Sequence, residues 1–240
     1  MNVLNRLKAN RKMATKSKWY FLSYELNDDL SAYRNGQRIV VTMPRSMKVG
    51  DECNETHVDV GLHYGTHIDF PFHFLKHGFT VSDYDPDFFI TEKVALAFID
   101  NLETKGLVSL SDIKPAVDGI PADTECLILH TGMSVNRFEE KYWSDGIGLN
   151  TGVAEYLRLM LPKLRFLGFD FISVSGTHNR RQLGRAVHRE LFNCDILPIE
   201  DMFLKMLKKG DVIKKLIVSP YRVTSADAAP ATVFALIERQ

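Results

Sequence analysis

The chain has 240 residues, 45% of them hydrophobic and 25% charged, and its thirty basic and thirty acidic side chains balance. That length suffices for one domain with a full core, no run approaches the roughly 20 apolar residues that cross a bilayer, and a neutral balance gives no global pull toward nucleic acid or anionic lipid. Small molecules or further copies of the same chain are the expected partners, with no nucleic acid and no membrane.

Residues 1–18 read as a basic arm: Arg6, Lys8, Arg11, Lys12, Lys16 and Lys18 fall there without an acid, and Met1 to Met13 holds no uninterrupted apolar stretch of the signal-peptide kind. Residues 19–240 form the expected domain. Its first half predicts strands at Arg38 to Met43, His57 to Gly61, Val94 to Asp100 and Glu125 to His130, each short and rich in Val, Ile and Leu. From Asn150 the period changes. Val153, Tyr156, Leu157, Met160 and Leu161 have the spacing of an amphipathic helix, with Asn150 or Thr151 as N-cap and Pro162 as stop. A strand over Arg165 to Val174, a helix near Arg181 to Phe192, and strands around Ile196 to Ile199, Lys214 to Pro220 and Ala231 to Glu238 follow. The class is α/β with a β-rich front half. Cys53, Cys126 and Cys194 are odd in number, widely spaced and in no CxxC arrangement, which points to a reducing compartment and hence the cytoplasm.

The chemistry concentrates between His57 and His77. In the segment from His63 to Phe74, His63, Gly65, His67, Asp69, Pro71 and His73 share one parity, while Leu62, Tyr64, Ile68, Phe70, Phe72 and Phe74 share the other. On an extended chain that gives a polar face backed by an aromatic one. Full extension would hold the Cα atoms of His63 and His67 about 13 Å apart, too far to share an ion, so the chain must bend, and Gly65 is the residue that permits it. His63, His67 and Asp69 then suit a divalent ion such as Zn²⁺ or Mn²⁺ with a position left open for water. His57 and His77 have no partner at ligand spacing, and Glu190 is read as solvated.

This segment resembles the metal-dependent cyclase and kynurenine formamidase family, whose signature HxGTHxDxPxH is matched at every fixed position from His63 to His73. Later landmarks extend the resemblance from about Tyr24 onward: Thr131-Gly132 at the end of an apolar strand, Gly168-Phe169-Asp170, and His188 followed by Glu200. The resemblance implies a swivelling β/β/α single domain with a mixed sheet, in a homodimer or homotetramer. It implies that His63, His67 and Asp69 are metal ligands, that His188 and Glu200 complete a centre of one or two ions, and that His73 is the catalytic acid and base. Local physics agrees that His188, at the edge of a buried helix face, and Glu200, on an apolar strand, each need a partner.

The activity implied is metal-dependent hydrolysis of a C–N bond in a small aromatic amide, as an arylformamidase converts N-formylkynurenine to kynurenine and formate in tryptophan catabolism. Phe70, Phe74 and Trp143 are the candidate substrate walls. A cyclase or lactam- and imide-opening hydrolase of the same family is a second reading, and a non-catalytic metal-dependent binding protein a third. Two departures from the family stand out. The second acid of many relatives is replaced by Ser173-Val174-Ser175-Gly176-Thr177, and the proline- and glycine-rich substrate loop by Arg34 to Arg38 and Met43 to Met47.

Overall fold

In the computed structural model, which describes residues 17–30, 36, 38–100, 106–144, 146–177, 180–183 and 185–239, one large mixed sheet organises the chain. The strands are β1 (Ser17–Phe21), β2 (Val40–Arg45), β3 (Glu55–Asp59), β4 (His67–Asp69), β5 (Ile90–Thr91), β6 (Val94–Phe98), β7 (Leu107–Val108), β8 (Cys126–His130), β9 (Gly148–Leu149), β10 (Phe166–Phe169), β11 (Leu197–Glu200), β12 (Val212–Pro220) and β13 (Ala228–Glu238). The helices are α1 (Leu110–Val117), α2 (Glu140–Ser144), α3 (Val153–Met160), α4 (Arg180–Leu183) and α5 (Ala186–Asn193). Among the described residues the main sheet runs β5-β12-β13-β4-β11-β10-β8-β6, with β1 also paired to β13. Strands β6, β8, β10 and β11 are mutually parallel, and β4 joins β11 to β13 antiparallel on both sides.

Burial on both faces explains why β8 reads as a continuous apolar run. Leu127 and Leu129 point into a core shared with Ile113 and Val117 of α1, Val153 and Leu157 of α3, and Val187 and Leu191 of α5. Cys126 and Ile128 point the other way, into a second core with Ile68, Phe70, Phe166 and Ile199 and the inner face of β12 and β13. Fully burying side chains of this size stabilises by roughly 1.5–3 kcal/mol each. The architecture is the mixed α/β single domain that the resemblance implied. No helix among the described residues is long and apolar enough to cross a membrane.

Several local expectations are corrected. The strand expected over Arg165 to Val174 stops at Phe169, because the Asp170 carboxylate turns to collect the backbone N–H and hydroxyl groups of Thr131 and Ser134. The helix expected near Arg181 to Phe192 is two pieces, α4 and α5. Neither Asn150 nor Thr151 caps α3; Gly152 does, at φ +82°, and its N–H donates to the Glu190 carboxylate at 2.9 Å, so Glu190 ties two helices rather than standing in solvent. Residues 1–16 of the basic arm lie outside the described residues, and Ser17 and Lys18 begin β1. All three cysteines are free.

Candidate metal centre

Strand β4 is only three residues long, and the chain before it turns. Gly65 sits at φ +65°, where a Cβ would meet Leu26 Cδ2 at 2.7 Å, so the bend demanded by ligand spacing falls on the residue that tolerates it. Thr66 locks the turn: its hydroxyl donates to the Asp201 carbonyl at 2.6 Å and accepts the Tyr24 N–H at 3.1 Å. His67 and Asp69 then lie on one face of β4, while Ile68 points into the core.

Sheet pairing delivers Glu200. Its Cα stands opposite His67 in the β4–β11 register, and its Oε1 accepts the Val174 N–H at 2.8 Å. Asp201, at φ +55°, turns the chain immediately afterwards and anchors it through a fully buried pair with Arg137 and a 2.5 Å hydrogen bond from the Tyr142 hydroxyl. Helix α5 supplies His188, whose Nδ1 lies 3.1 Å from the Ser175 hydroxyl, leaving Nε2 toward the carboxylates. Ser175 thus orients the His188 ring.

Asp69, only 1% exposed, is the hub. His63 Nδ1 lies 3.0 Å and His67 Nε2 3.3 Å from its Oδ1, and His188 Nε2 3.5 Å from its Oδ2. Glu200 is 3.4 Å from His67 Nε2 and 3.5 Å from His188 Nε2. His67 Nδ1 donates to the Gly65 carbonyl at 2.9 Å, which fixes Nε2 as the nitrogen facing the cluster. Beside it His73 ends a single 3-10 turn started by Pro71, with its ring 4.3 Å from that of His63 and 6.0 Å from that of His188.

Burial pulls the His63 pKa down, but its hydrogen bond to Asp227 and its pairing with the Asp69 carboxylate outweigh it and push it up to about 9. The same opposition, burial against Asp69 and Glu200, pushes His188 up to about 9 and raises His67 well above its ordinary value. Burial alone would raise Asp69, yet its three imidazole neighbours hold it well below the ordinary carboxylate range. Glu200 is raised by burial and by Asp69, but His188 and His67 bring it lower overall. Protons on the imidazoles are therefore the charge that balances the buried carboxylates.

His67 Nε2 and both Asp69 oxygens make no hydrogen bond of acceptable geometry, although all three are buried. Orphaned donor atoms of this kind are what a cation relieves. Two overlapping groups, His63/Asp69/His73 and His67/Asp69/Glu200, each bring their ligand atoms within 4.8 Å of one another and share Asp69. A set of imidazole nitrogens and carboxylate oxygens fits a borderline divalent ion such as Zn²⁺ or Mn²⁺.

The structure thus brings together His63, His67, Asp69, His73, His188 and Glu200. Phe74 joins them, its ring 3.9 Å from that of His73 and 4.5 Å from that of His188. Phe70 does not: it is fully buried in the second core beside Tyr84, on the opposite face of the segment, as its even parity dictates. Trp143 is half-buried against the first core and stacks at 4.4 Å on the Arg137 guanidinium, the group that pairs with Asp201. His57 is exposed and paired with Glu55. The residue missed in the sequence is Asp227, whose Oδ2 accepts from His73 Nδ1 at 2.7 Å and from His63 Nε2 at 3.0 Å. No spacing marks it, since it lies 154 residues beyond His73.

Three imidazoles and the Glu200 carboxylate gathered around the Asp69 hub, on two sheet strands, a helix and the turn before β4, with a further histidine at the rim, define an enzyme centre suited to a divalent metal. Residues 20–175 match the family model described as "Putative cyclase". The chain belongs to this cyclase family. Among curated relatives, the kynurenine formamidases of Bacillus cereus (strain ATCC 10987 / NRS 248) and Bacillus mycoides (strain KBAB4) are each 27% identical over 216 residues, covering 89% of this chain and 95% of theirs. In fold it is similar to isatin hydrolase A from Labrenzia aggregata, at 18% identity and TM-score 0.75 over 99% of this chain and 100% of that one.

Proposed function

We propose that this chain is a metal-dependent amidohydrolase that cleaves the C–N bond of a small aromatic amide, with an arylformamide such as N-formylkynurenine as its substrate class and Zn²⁺ or Mn²⁺ as its metal. The observation that carries the reading is Asp69, buried and ringed by three imidazoles, with both carboxylate oxygens free of a well-formed hydrogen bond and turned to the shared centre of the cluster. His63, His67, Asp69, His188 and Glu200 would hold the metal. When bound, the metal polarises a carbonyl and makes water acidic enough to act as a nucleophile near neutral pH.

The chain's own residues do the rest. His73 is half-buried at the rim, and with Nδ1 committed to Asp227 its Nε2 is the nitrogen that can accept a proton from water and return it to the departing amine. Phe74 packs against His73 and His188, so an aryl group seated on it lies beside both the metal ligands and the acid. Water adds to the formyl carbon, the C–N bond breaks, and the nitrogen leaves as a neutral arylamine beside formate.

The kynurenine formamidase relatives support the formamide reading, and the fold shared with isatin hydrolases supports ring-opening of lactams as the second. We place the activity in the cytoplasm, a reading supported by the three unpaired cysteines. Self-association is part of the proposal. The β2–β3 ribbon exposes Val40, Val41, Met43 and Val58, and an isolated two-stranded ribbon is marginal alone. The decisive assay strips the metal with chelator, adds back Zn²⁺ or Mn²⁺, and follows hydrolysis of N-formylkynurenine, isatin and a cyclic imide. Metal-restored turnover of the formamide above the two ring substrates is expected; turnover unaffected by chelation, or confined to the ring substrates, would overturn the assignment.

A further inference from the structure

We propose that Asp227 is a positioning residue for this reaction: one carboxylate oxygen fixes the tautomer and ring orientation of His73 while holding His63 against the metal-binding cluster. The inference rests on the hydrolase reading given above and assigns a role to a residue outside the family signature.

The geometry is specific. Asp227 Oδ2 lies 2.7 Å from His73 Nδ1 and 3.0 Å from His63 Nε2, and a carboxylate oxygen can only accept, so both nitrogens are donors. His73 is thereby left with Nε2 for proton exchange. His63 is left with Nδ1, which lies 3.0 Å from Asp69 Oδ1 on the cluster side. No other side chain among the described residues hydrogen-bonds the His73 ring. The two rings are 4.3 Å apart and packed on each other, so a swing of either disturbs both.

Asp227 is itself held from three directions. Its carbonyl accepts the Phe70 N–H at 2.9 Å, and the next residue, Ala228, pairs with Asp69 in the β13–β4 register. Two residues earlier Ser225 adopts φ +61°, a left-handed turn uncommon for a residue with a side chain. A carboxylate behind an imidazole is the usual device for choosing which ring nitrogen faces the chemistry. Here a single carboxylate serves a metal ligand and the proton-transfer histidine together.

The test uses ¹⁵N-labelled, Zn²⁺-loaded protein. Long-range ¹H–¹⁵N spectra read the His73 tautomer without turnover, and steady-state assays on N-formylkynurenine at saturating Zn²⁺ read kcat and KM. The wild type should show His73 protonated on Nδ1 with Nε2 bare. In Asp227→Ala the two nitrogens should move toward a tautomer average, and kcat should fall about 10–100-fold with KM changed less than about twofold. Asp227→Glu should recover part of both, which also guards against a variant that merely folds poorly. An unchanged His73 tautomer in Asp227→Ala, or a wild-type kcat in that variant at saturating Zn²⁺, would overturn the role assigned to Asp227 at His73. Because the spectra need no substrate, failure of the formamidase reading and failure of this one are separable.

Discussion

Raising the pH should tighten Zn²⁺ binding to the metal-free protein steeply, because the ligands must shed protons to bind. His63 and His188 hold theirs up to about 9, and His67 is likewise raised well above its ordinary value. Each imidazole must become neutral before it can ligate, so the metal displaces the protons that the neighbouring carboxylates favour. Releasing two to three protons predicts an apparent affinity that climbs by roughly 100- to 1,000-fold per pH unit across about pH 6–7, flattening toward pH 9. Titration calorimetry in buffers of different ionisation enthalpy counts the protons directly, and about two to three per ion are expected. A count below one, with affinity flat between pH 6 and 8, would refute the reasoning. The same groups set the stability of the metal-free fold. His63 and His188 have folded pKa values above the unfolded 6.5, so their contribution is complete below pH 6.5 and is lost as pH rises through about 9. Asp69, Glu200 and Asp227 are depressed, so theirs is present above the unfolded carboxylate pKa near 4 and is lost as pH falls. The Tm of metal-free protein should therefore peak at about pH 5–6.5 and decline toward pH 9.

Other substitutions separate chemistry from scaffold. His73→Ala should lower kcat by about 10²–10⁴-fold while metal content, measured on the same sample, stays at the wild-type level. Gly65→Ala places a Cβ at positive φ against Leu26 and should destabilise by about 1–2 kcal/mol, read as a lower urea midpoint, with weaker metal binding because the His63–His67 bend relaxes. Arg137→Leu leaves the fully buried Asp201 carboxylate without its cation and should cost about 3–5 kcal/mol by the same measurement.

The candidate ligands carried by one stretch of chain were legible in the sequence because local geometry governs them. The parity of His63, His67 and Asp69 and the need for a bend at Gly65 follow from backbone dimensions, and the structure bends there at φ +65°. Parity holds as far as β4 runs, so Phe70 follows Ile68 into the core, while the 3-10 turn at Pro71–His73 breaks the alternation and brings Phe74 to the histidines. His188 and Glu200 needed the resemblance, since only the pairing of β11 with β4 and the packing of α5 bring them to Asp69. Asp227 was invisible for the same reason: its partners are set by the antiparallel register of β13 on β4, a contact across the length of the chain. The premature end of β10 had a comparable cause, the Asp170 side chain capturing Thr131 and Ser134 instead of continuing the ladder.

The account depends on a divalent ion at Asp69, and elemental analysis of protein expressed without added metal tests this most directly. About one or more Zn²⁺ or Mn²⁺ per chain in the wild type, lost in Asp69→Ala, is the predicted result. A wild-type protein that carries no such ion and takes none up on dialysis against either metal would contradict it.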